Sequence, residues 1–205
     1  MSRKQYDAYH YDDPDFEYTY PGSSVLVNKF DIQEQSVALE KEYQLSAERV
    51  LELSIKPISV HSMKDVRAIH RFIFHDMYTW AGTYRTVNIS KAGNAFMTRQ
   101  AFDSGEEYLD TLIEMYWQTA DTKTEIAKQL AEILDCLNHM HPFREGNGRC
   151  QREVILSLAM ERRFDLYLDI EDNDDVYNRY MDGTVYGDKK VLEDLLLEIL
   201  EPLDE

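Results

Sequence analysis

Apolar residues recur at helical spacing along most of this 205-residue chain, and this periodicity constrains its fold more than any other feature. The clearest apolar stripe lies within residues 123–140 and comprises Ile126, Leu130, Ile133, Leu134 and Leu137. Similar spacing predicts further helices over 31–54, from Ser62 onward, and over 98–118, 147–162, 172–181 and 188–200. The chain is therefore predicted to be an all-α bundle of about seven or eight helices.

One segment departs from helical spacing. Thr86, Asn88 and Ser90 alternate with Val87 and Ile89, which is the period of a β-strand. Residues 91–94 can form a turn and 95–97 can return along the first strand. Residues 84–97 are therefore predicted to form a short β-hairpin in an otherwise helical domain.

The chain divides into a short irregular segment and one domain. Residues 1–24 are rich in Tyr, Asp and Pro and are predicted to be irregular. Residues 25–205 are predicted to form a single domain, because this length suits one hydrophobic core. Asp31 is predicted to cap the first helix together with Glu34, and Ser62 is predicted to cap the second.

Charge and composition exclude several classes of function. The net charge is −17, from 39 acidic and 22 basic residues, so the surface repels nucleic acid and an anionic ligand needs a local basic site. The two cysteines do not suggest a disulfide framework, which favours a reducing compartment. No apolar run approaches the ~20 residues that span a membrane. We expect a cytoplasmic protein that binds neither nucleic acid nor membranes.

Residues 141–152 read His-Pro-Phe-Arg-Glu-Gly-Asn-Gly-Arg-Cys-Gln-Arg and combine several groups that suit a polyphosphate. Gly146, Asn147 and Gly148 open a predicted helix, where backbone N–H groups point at an anion. Arg149 and Arg152 stand three residues apart, so both can project from one side of that helix and grip two phosphates. The run predicts a nucleotide triphosphate site.

Two further residues of this run suggest chemistry. Glu145 beside a polyphosphate indicates a bridging cation such as Mg²⁺. His141 ends the preceding helix, and its ordinary pKa of about 6.5 suits a general base that takes a proton from a hydroxyl. Each feature alone is more often structural: a lone histidine, a Gly-Asn-Gly turn, or two arginines on a solvated face. Their occurrence together in this order favours the functional interpretation.

The run resembles the signature of the Fic family, His-Pro-Phe-x-Asp/Glu-Gly-Asn-Gly-Arg-x-x-Arg, at every fixed position. Trp80-Ala81-Gly82 and the segment from Arg85 to Lys91 also resemble the family's lead into a hairpin called the flap. The likeness spans residues 25–200. It implies the Fic-fold helical bundle with one short β-hairpin flap.

The resemblance implies an enzyme that moves AMP from ATP to a Ser, Thr or Tyr hydroxyl of a target protein and releases pyrophosphate. His141 is then the base, and Glu145 holds Mg²⁺. The flap at 87–97 docks the target protein by strand addition. The implied ATP contacts are the anion hole of Gly146, Asn147 and Gly148, Arg149 at the β/γ-phosphates, Arg152 at the γ-phosphate, and Lys91.

The family also suggests how the site is restrained. Many members carry an inhibitory pattern, Ser/Thr-x-x-x-Glu-Gly/Asn, whose glutamate pairs with the second arginine of the signature. This chain matches it only partly, at 36–41 and 157–162. A separate small antitoxin that supplies the glutamate to Arg152 is the favoured explanation. An unrestrained enzyme, or the Fic part of a secreted effector, is the alternative.

Other interpretations remain open from the sequence. A Fic-fold protein with another nucleotide-linked donor or kinase-like activity is one, and a non-catalytic regulator that binds nucleotide or a partner is another. The spacing of His61, His70 and His75 favours structural roles over a metal site. Tyr177 and Tyr180 can flank an adenine, although core packing is the more common role of such residues.

Overall fold

The computed structural model describes residues 2–5, 9–11, 17–91 and 94–203, without the side chains of 9–11, 91 and 94. Seven α-helices form the described part and confirm the predicted all-α bundle. They are α1 Gln35–Ile55, α2 Met63–Phe74, α3 Phe102–Thr119, α4 Lys123–Met140, α5 Asn147–Glu161, α6 Asp174–Tyr186 and α7 Lys189–Ile199. A single 3₁₀ turn, Arg99–Ala101, precedes α3.

Helix α4 is the centre of the bundle. It contacts α3, α5, α6 and α7, and the predicted apolar stripe along it is buried. A helix surrounded in this way needs apolar residues on a wide face, which the stripe supplies. Because α4 ends at Met140 and α5 begins at Asn147, the signature loop lies at one end of this central helix.

The start of α1 differs from the prediction. Its cap is Glu34, whose carboxylate accepts hydrogen bonds from the backbone N–H groups of Ser36, at 3.1 Å, and Val37, at 2.7 Å. Asp31 has a left-handed φ of 54° and lies outside the helix, so the predicted cap was wrong. A carboxylate at position 34 reaches the free N–H groups of the first turn, which is what a cap must do.

Two small antiparallel sheets complete the fold. The predicted hairpin is confirmed as β2 Ile89–Lys91 and β3 Asn94–Ala95, and the remaining part of its turn, 92–93, lies outside the described residues. Strand β1, Tyr9–Tyr11, pairs with β2 although its segment was predicted to be irregular. Strands β4 Phe164–Leu166 and β5 Leu200–Pro202 pair at the end of the bundle.

No helix in the described ranges is long and apolar enough to cross a lipid bilayer.

Candidate functional site

The signature loop between α4 and α5 is fixed by two of its own residues. Gly146 caps α5 with φ of 79°, and a Cβ there would lie 2.3 Å from the Phe74 ring, so only glycine fits. The buried Asn147 side chain accepts a hydrogen bond from the Phe143 N–H at 2.9 Å and donates one to the Phe143 carbonyl at 2.7 Å. The Asn147 amide therefore shapes the loop, and its backbone N–H is the group left for an anion.

His141 follows the last turn of α4 in a left-handed conformation, with φ of 44°. Its Nδ1 lies 3.3 Å from the carbonyl oxygen of Asn138, which favours the tautomer with the proton on Nδ1. In that tautomer the lone pair lies on Nε2, which is the form of imidazole that a general base requires. The residue is only 3% exposed, because the flap residue Phe96 stacks on the imidazole.

Arg85 joins the flap to the signature loop. This buried guanidinium donates hydrogen bonds to the carbonyl oxygens of His141 at 2.8 Å, Val87 at 2.6 Å and Met97 at 2.6 Å. Burial lowers the pKa of Arg85 to about 10. Three carbonyls from two segments converge on one cation, so the base and the hairpin share a fixed backbone frame.

His70 fixes the backbone of Glu145 through a hydrogen bond to its carbonyl oxygen. The Gly82 N–H donates to Nδ1 of His70 at 2.9 Å, so the proton on Nε2 is free to donate to the Glu145 carbonyl, also at 2.9 Å. Burial lowers the pKa of His70 to about 3, which keeps this imidazole neutral. The structural role predicted for His70 is what the fold shows.

The Glu145 carboxylate is suited to a magnesium site with a single protein ligand. It accepts a hydrogen bond from the Gly146 N–H at 2.9 Å and borders a cavity of about 550 Å³. Within the described ranges, no three or more His, Cys, Asp or Glu side chains gather into a metal cluster. Mg²⁺ commonly takes one or two carboxylates and completes its shell with water and substrate phosphates, so a single carboxylate suits it.

Arg149 is tied to α1. Its guanidinium donates to the Glu42 carboxylate and, at 2.8 Å, to the Ser46 hydroxyl. Glu42 is 5% exposed and also accepts a hydrogen bond from the Tyr78 hydroxyl. Arg149 borders the cavity of Glu145, whereas the cavity that contains Gly148 and Arg152 lies elsewhere.

Arg152 faces a cavity of about 280 Å³ beneath the flap. Helices α4, α5 and α6 form its other walls, and its lining includes Asn138, Gly148, Gln151, Tyr180 and Thr184. Among the described residues Arg152 has no hydrogen bond or ion pair, and neither Glu40 nor Glu161 pairs with it. The next residue, Glu153, is buried, and burial raises the pKa of its carboxyl to about 7.

The structure distributes the signature residues over three cavities. Gly148 and Arg152 line the flap cavity, Glu145 and Arg149 line a second, and both arginines line a groove beside α1. The side chain of Lys91 lies outside the described part, so its predicted contact with ATP stays a prediction. Of the two candidate adenine neighbours, the buried Tyr180 lines the flap cavity, while Tyr177 packs under the Arg3 guanidinium at 4.2 Å.

Sequence reasoning missed Glu42, Arg85 and Phe96. Glu42 lies 107 residues from Arg149, and no spacing rule connects positions so far apart. In the sequence Arg85 is only part of the segment before the flap, and no local pattern indicates that its guanidinium is buried. Phe96 was assigned to the returning strand, where nothing in the sequence indicates contact with the histidine.

Comparison with known proteins extends these observations. Residues 60–159, which contain the whole signature, match the sequence profile of the Fic/DOC family. The chain is 26% identical over 190 residues to the probable protein adenylyltransferase Fic of Escherichia coli K12, covering 92% of this chain and 94% of that one. It is 28% identical to the protein adenylyltransferase VbhT of Bartonella schoenbuchensis, covering 87% of this chain but 38% of VbhT.

Solved structures agree on the fold. A BepC effector from Bartonella tribocorum with bound AMPPNP aligns with a TM-score of 0.77 at 20% identity, covering 92% of this chain and 98% of that one. The ADP-bound Fic domain of an effector from Bartonella quintana gives 0.80 at 22% identity, covering 91% and 95%. With the signature and the flap in place, the chain belongs to the Fic/DOC family and is a nucleotidyltransferase enzyme.

Proposed function

We propose that the protein transfers AMP from ATP to a Ser, Thr or Tyr hydroxyl of a target protein and releases pyrophosphate. The observation that carries this proposal is the convergence of His141, the N-terminus of α5 and the unpaired Arg152 at one loop beside the flap cavity. Relatives that are protein adenylyltransferases support AMP as the transferred group, and structural neighbours with bound AMPPNP or ADP support ATP as the donor.

The reaction follows from these groups. Nε2 of His141 takes the proton as the hydroxyl oxygen attacks the α-phosphorus, and the bond from that phosphorus to the α,β-bridging oxygen breaks. The N–H groups at the start of α5, together with Arg152, stabilise charge on the phosphates. When bound, Mg²⁺ neutralises phosphate charge, and Glu145 is the residue that would hold it. With Arg152 proposed at the γ-phosphate, the nucleoside is proposed to lie in the flap cavity, which Tyr180 also lines.

The target is proposed to dock on β3. Strand order β1-β2-β3 leaves the outer edge of β3 without a partner in the described part, whereas the outer edge of β2 is covered by β1. An extended target segment can add to the free edge through backbone hydrogen bonds. Docking there brings a target hydroxyl towards the flap cavity and His141.

Labelled ATP tests the reaction. Incubation of the protein with a cell lysate should transfer label from α-labelled ATP and none from γ-labelled ATP. Label from the γ position alone would indicate a kinase, and label from neither would indicate a non-catalytic binder. The variant Glu145→Ala should lose magnesium-dependent transfer while Glu40→Ala, an exposed carboxylate on α1, should not. Unchanged metal dependence in Glu145→Ala would refute the metal role.

Restraint by a separate small protein is proposed as well. Arg152 forms no ion pair among the described residues, and it borders a groove of about 500 Å³ between α1 and residues 166–172. The groove exposes Tyr43, Leu51 and Tyr167, which is unusual for a surface with no partner. Co-purification with the product of a neighbouring gene should give a complex with reduced AMP transfer. Absence of both complex and inhibition would contradict restraint by a separate protein.

A cytoplasmic location stays a prediction.

A further inference from the structure

We propose that Phe96 is a gate over His141 that gives a docked target hydroxyl access to the base and denies it to water. The proposal rests on the proposed function, because it assumes that His141 is the base. It adds a specificity residue that acts on access to the imidazole.

The first argument is burial. The Phe96 ring stacks on the imidazole with ring centroids 3.9 Å apart and an interplanar angle of 19°. A base must come within about 3 Å of the hydroxyl that it deprotonates. Because His141 is only 3% exposed, even a water molecule scarcely reaches its side chain. A hydroxyl carried by a protein segment needs more room than a water molecule. Some part of this cover must move before reaction.

The second argument is position. Phe96 and Ala95 line the flap cavity, but His141 does not. The Phe96 ring thus stands between the imidazole and the cavity proposed for the nucleotide. Moving this one ring connects the base with the α-phosphate that the hydroxyl must attack.

The third argument is mobility in response to the target. Phe96 directly follows β3, the strand with the free edge, and its N–H donates to the Ile89 carbonyl at 3.2 Å. The next residue is fixed, since the Met97 N–H donates to the His139 carbonyl at 3.0 Å. A strand that adds to β3 therefore acts on the backbone adjoining Phe96 while the far side stays anchored.

The gate has a chemical consequence. With the ring absent, Nε2 of His141 can take a proton from water, and the water oxygen can attack the α-phosphorus of ATP. The bond to the α,β-bridging oxygen then breaks, giving free AMP and pyrophosphate. Exclusion of water from a closed site is the general way in which enzymes suppress such hydrolysis.

Chemical modification tests the gate without relying on catalysis. Diethyl pyrocarbonate should acylate His141 several-fold faster in Phe96→Ala than in the wild type, as measured by mass spectrometry of the peptide. Phe96→Tyr keeps the stacked ring and should restore slow modification. Val87→Ala is the matched control, because Val87 packs with Tyr18 and Ile89 in the flap cluster, whereas the ring stacked on His141 belongs to Phe96. Equal rates in Phe96→Ala and wild type, or equal acceleration in Val87→Ala, would overturn the proposal.

A second measurement separates the gate from the reaction. Without any target, and at ATP concentrations that saturate each protein, Phe96→Ala should convert ATP to AMP and pyrophosphate faster than the wild type. Faster acylation without faster hydrolysis would overturn water exclusion as the purpose of the gate. If the wild type transfers no AMP to any lysate protein, the proposed function fails, while acylation still reports whether Phe96 covers His141.

Discussion

Arg149 and Arg152, both on α5, differ in their hydrogen-bond and ion-pair partners. On the face towards α1, Arg149 is bound by Glu42 and Ser46, so its positive charge is already balanced within the protein. Arg152 lines the flap cavity as well as the groove beside α1, and among the described residues it has no such ion pair, although the Glu153 carboxyl is a charged neighbour. The two residues are three positions apart, and the packing of one neighbouring helix makes the difference.

Residues that belong to one signature therefore need not have equal roles. Sequence spacing allowed both arginines to grip phosphates. In the structure Arg149 connects α1 and α5 through hydrogen bonds, whereas Arg152 forms neither an ion pair nor a hydrogen bond among the described residues. We therefore expect stability to depend on Arg149 and ligand binding to depend on Arg152.

The largest expected effect is on the rate of AMP transfer when His141 is replaced. We expect His141→Ala to slow AMP transfer by about 10²- to 10⁴-fold, the usual contribution of a general base. ATP affinity should remain, because the imidazole is directed at the hydroxyl and contacts no phosphate in the proposed reaction. Transfer rates at saturating ATP, together with binding by calorimetry, measure both quantities. Full activity on the true target would remove His141 from the mechanism.

Arg149→Ala should produce the largest loss of stability. Its removal leaves the Glu42 carboxylate buried with only the Tyr78 hydroxyl as a partner, which costs about 3 kcal/mol in such pairs. Urea unfolding of Arg149→Ala and Arg152→Ala compares the two faces directly. Arg152→Ala is the matched control and should unfold close to the wild type, since it breaks no hydrogen bond or ion pair. Equal losses of stability in the two variants would contradict the proposed difference between Arg149 and Arg152.

Ligand binding should show the reverse order. Arg152→Ala should weaken ATP affinity by about 2 kcal/mol, the typical value of a hydrogen bond to a charged group. AMP affinity should not change, because AMP lacks the phosphates that Arg152 is proposed to contact. Titration of both variants with ATP and AMP gives the four affinities. A larger loss of ATP affinity in Arg149→Ala would show that Arg149 leaves Glu42 when the triphosphate binds.

The smallest effect is a pH dependence of stability with two opposing parts. His70 has a folded pKa of about 3, below its ordinary 6.5, so its contribution is present above pH 6.5 and is lost as the pH falls towards 3. Glu153 has a folded pKa of about 7, above its ordinary 4.5, so its contribution is present below pH 4.5 and is lost as the pH rises through 7.

Unfolding at pH 5, 6 and 7 separates these parts. His70→Gln should reduce the loss of stability on acidification, and Glu153→Gln should reduce the loss on raising the pH. Each group can change the slope by at most about 1.4 kcal/mol per pH unit. Identical slopes in wild type and both variants would mean that neither group is buried in the form shown.

Most of the fold could be predicted because it is local. The stripe of α4 and the cap at Ser62 depend on residues within a few turns of one another, and both match the structure. The start of α1 was misplaced because Asp31 and Glu34 are both acceptable caps, and only the chain path selects one. Strands β1, β4 and β5 were missed because their partners lie far along the chain.

The signature, its place between two helices and the flap could all be predicted from patterns of nearby residues. That Arg149 forms an ion pair, that Arg152 forms none among the described residues, and that Phe96 covers His141 follow only from tertiary packing. These outcomes depend on which helix packs against α5 and where the flap folds back. Contacts across 107 residues, as between Glu42 and Arg149, arise from burial in a shared core, and local spacing carries no record of them.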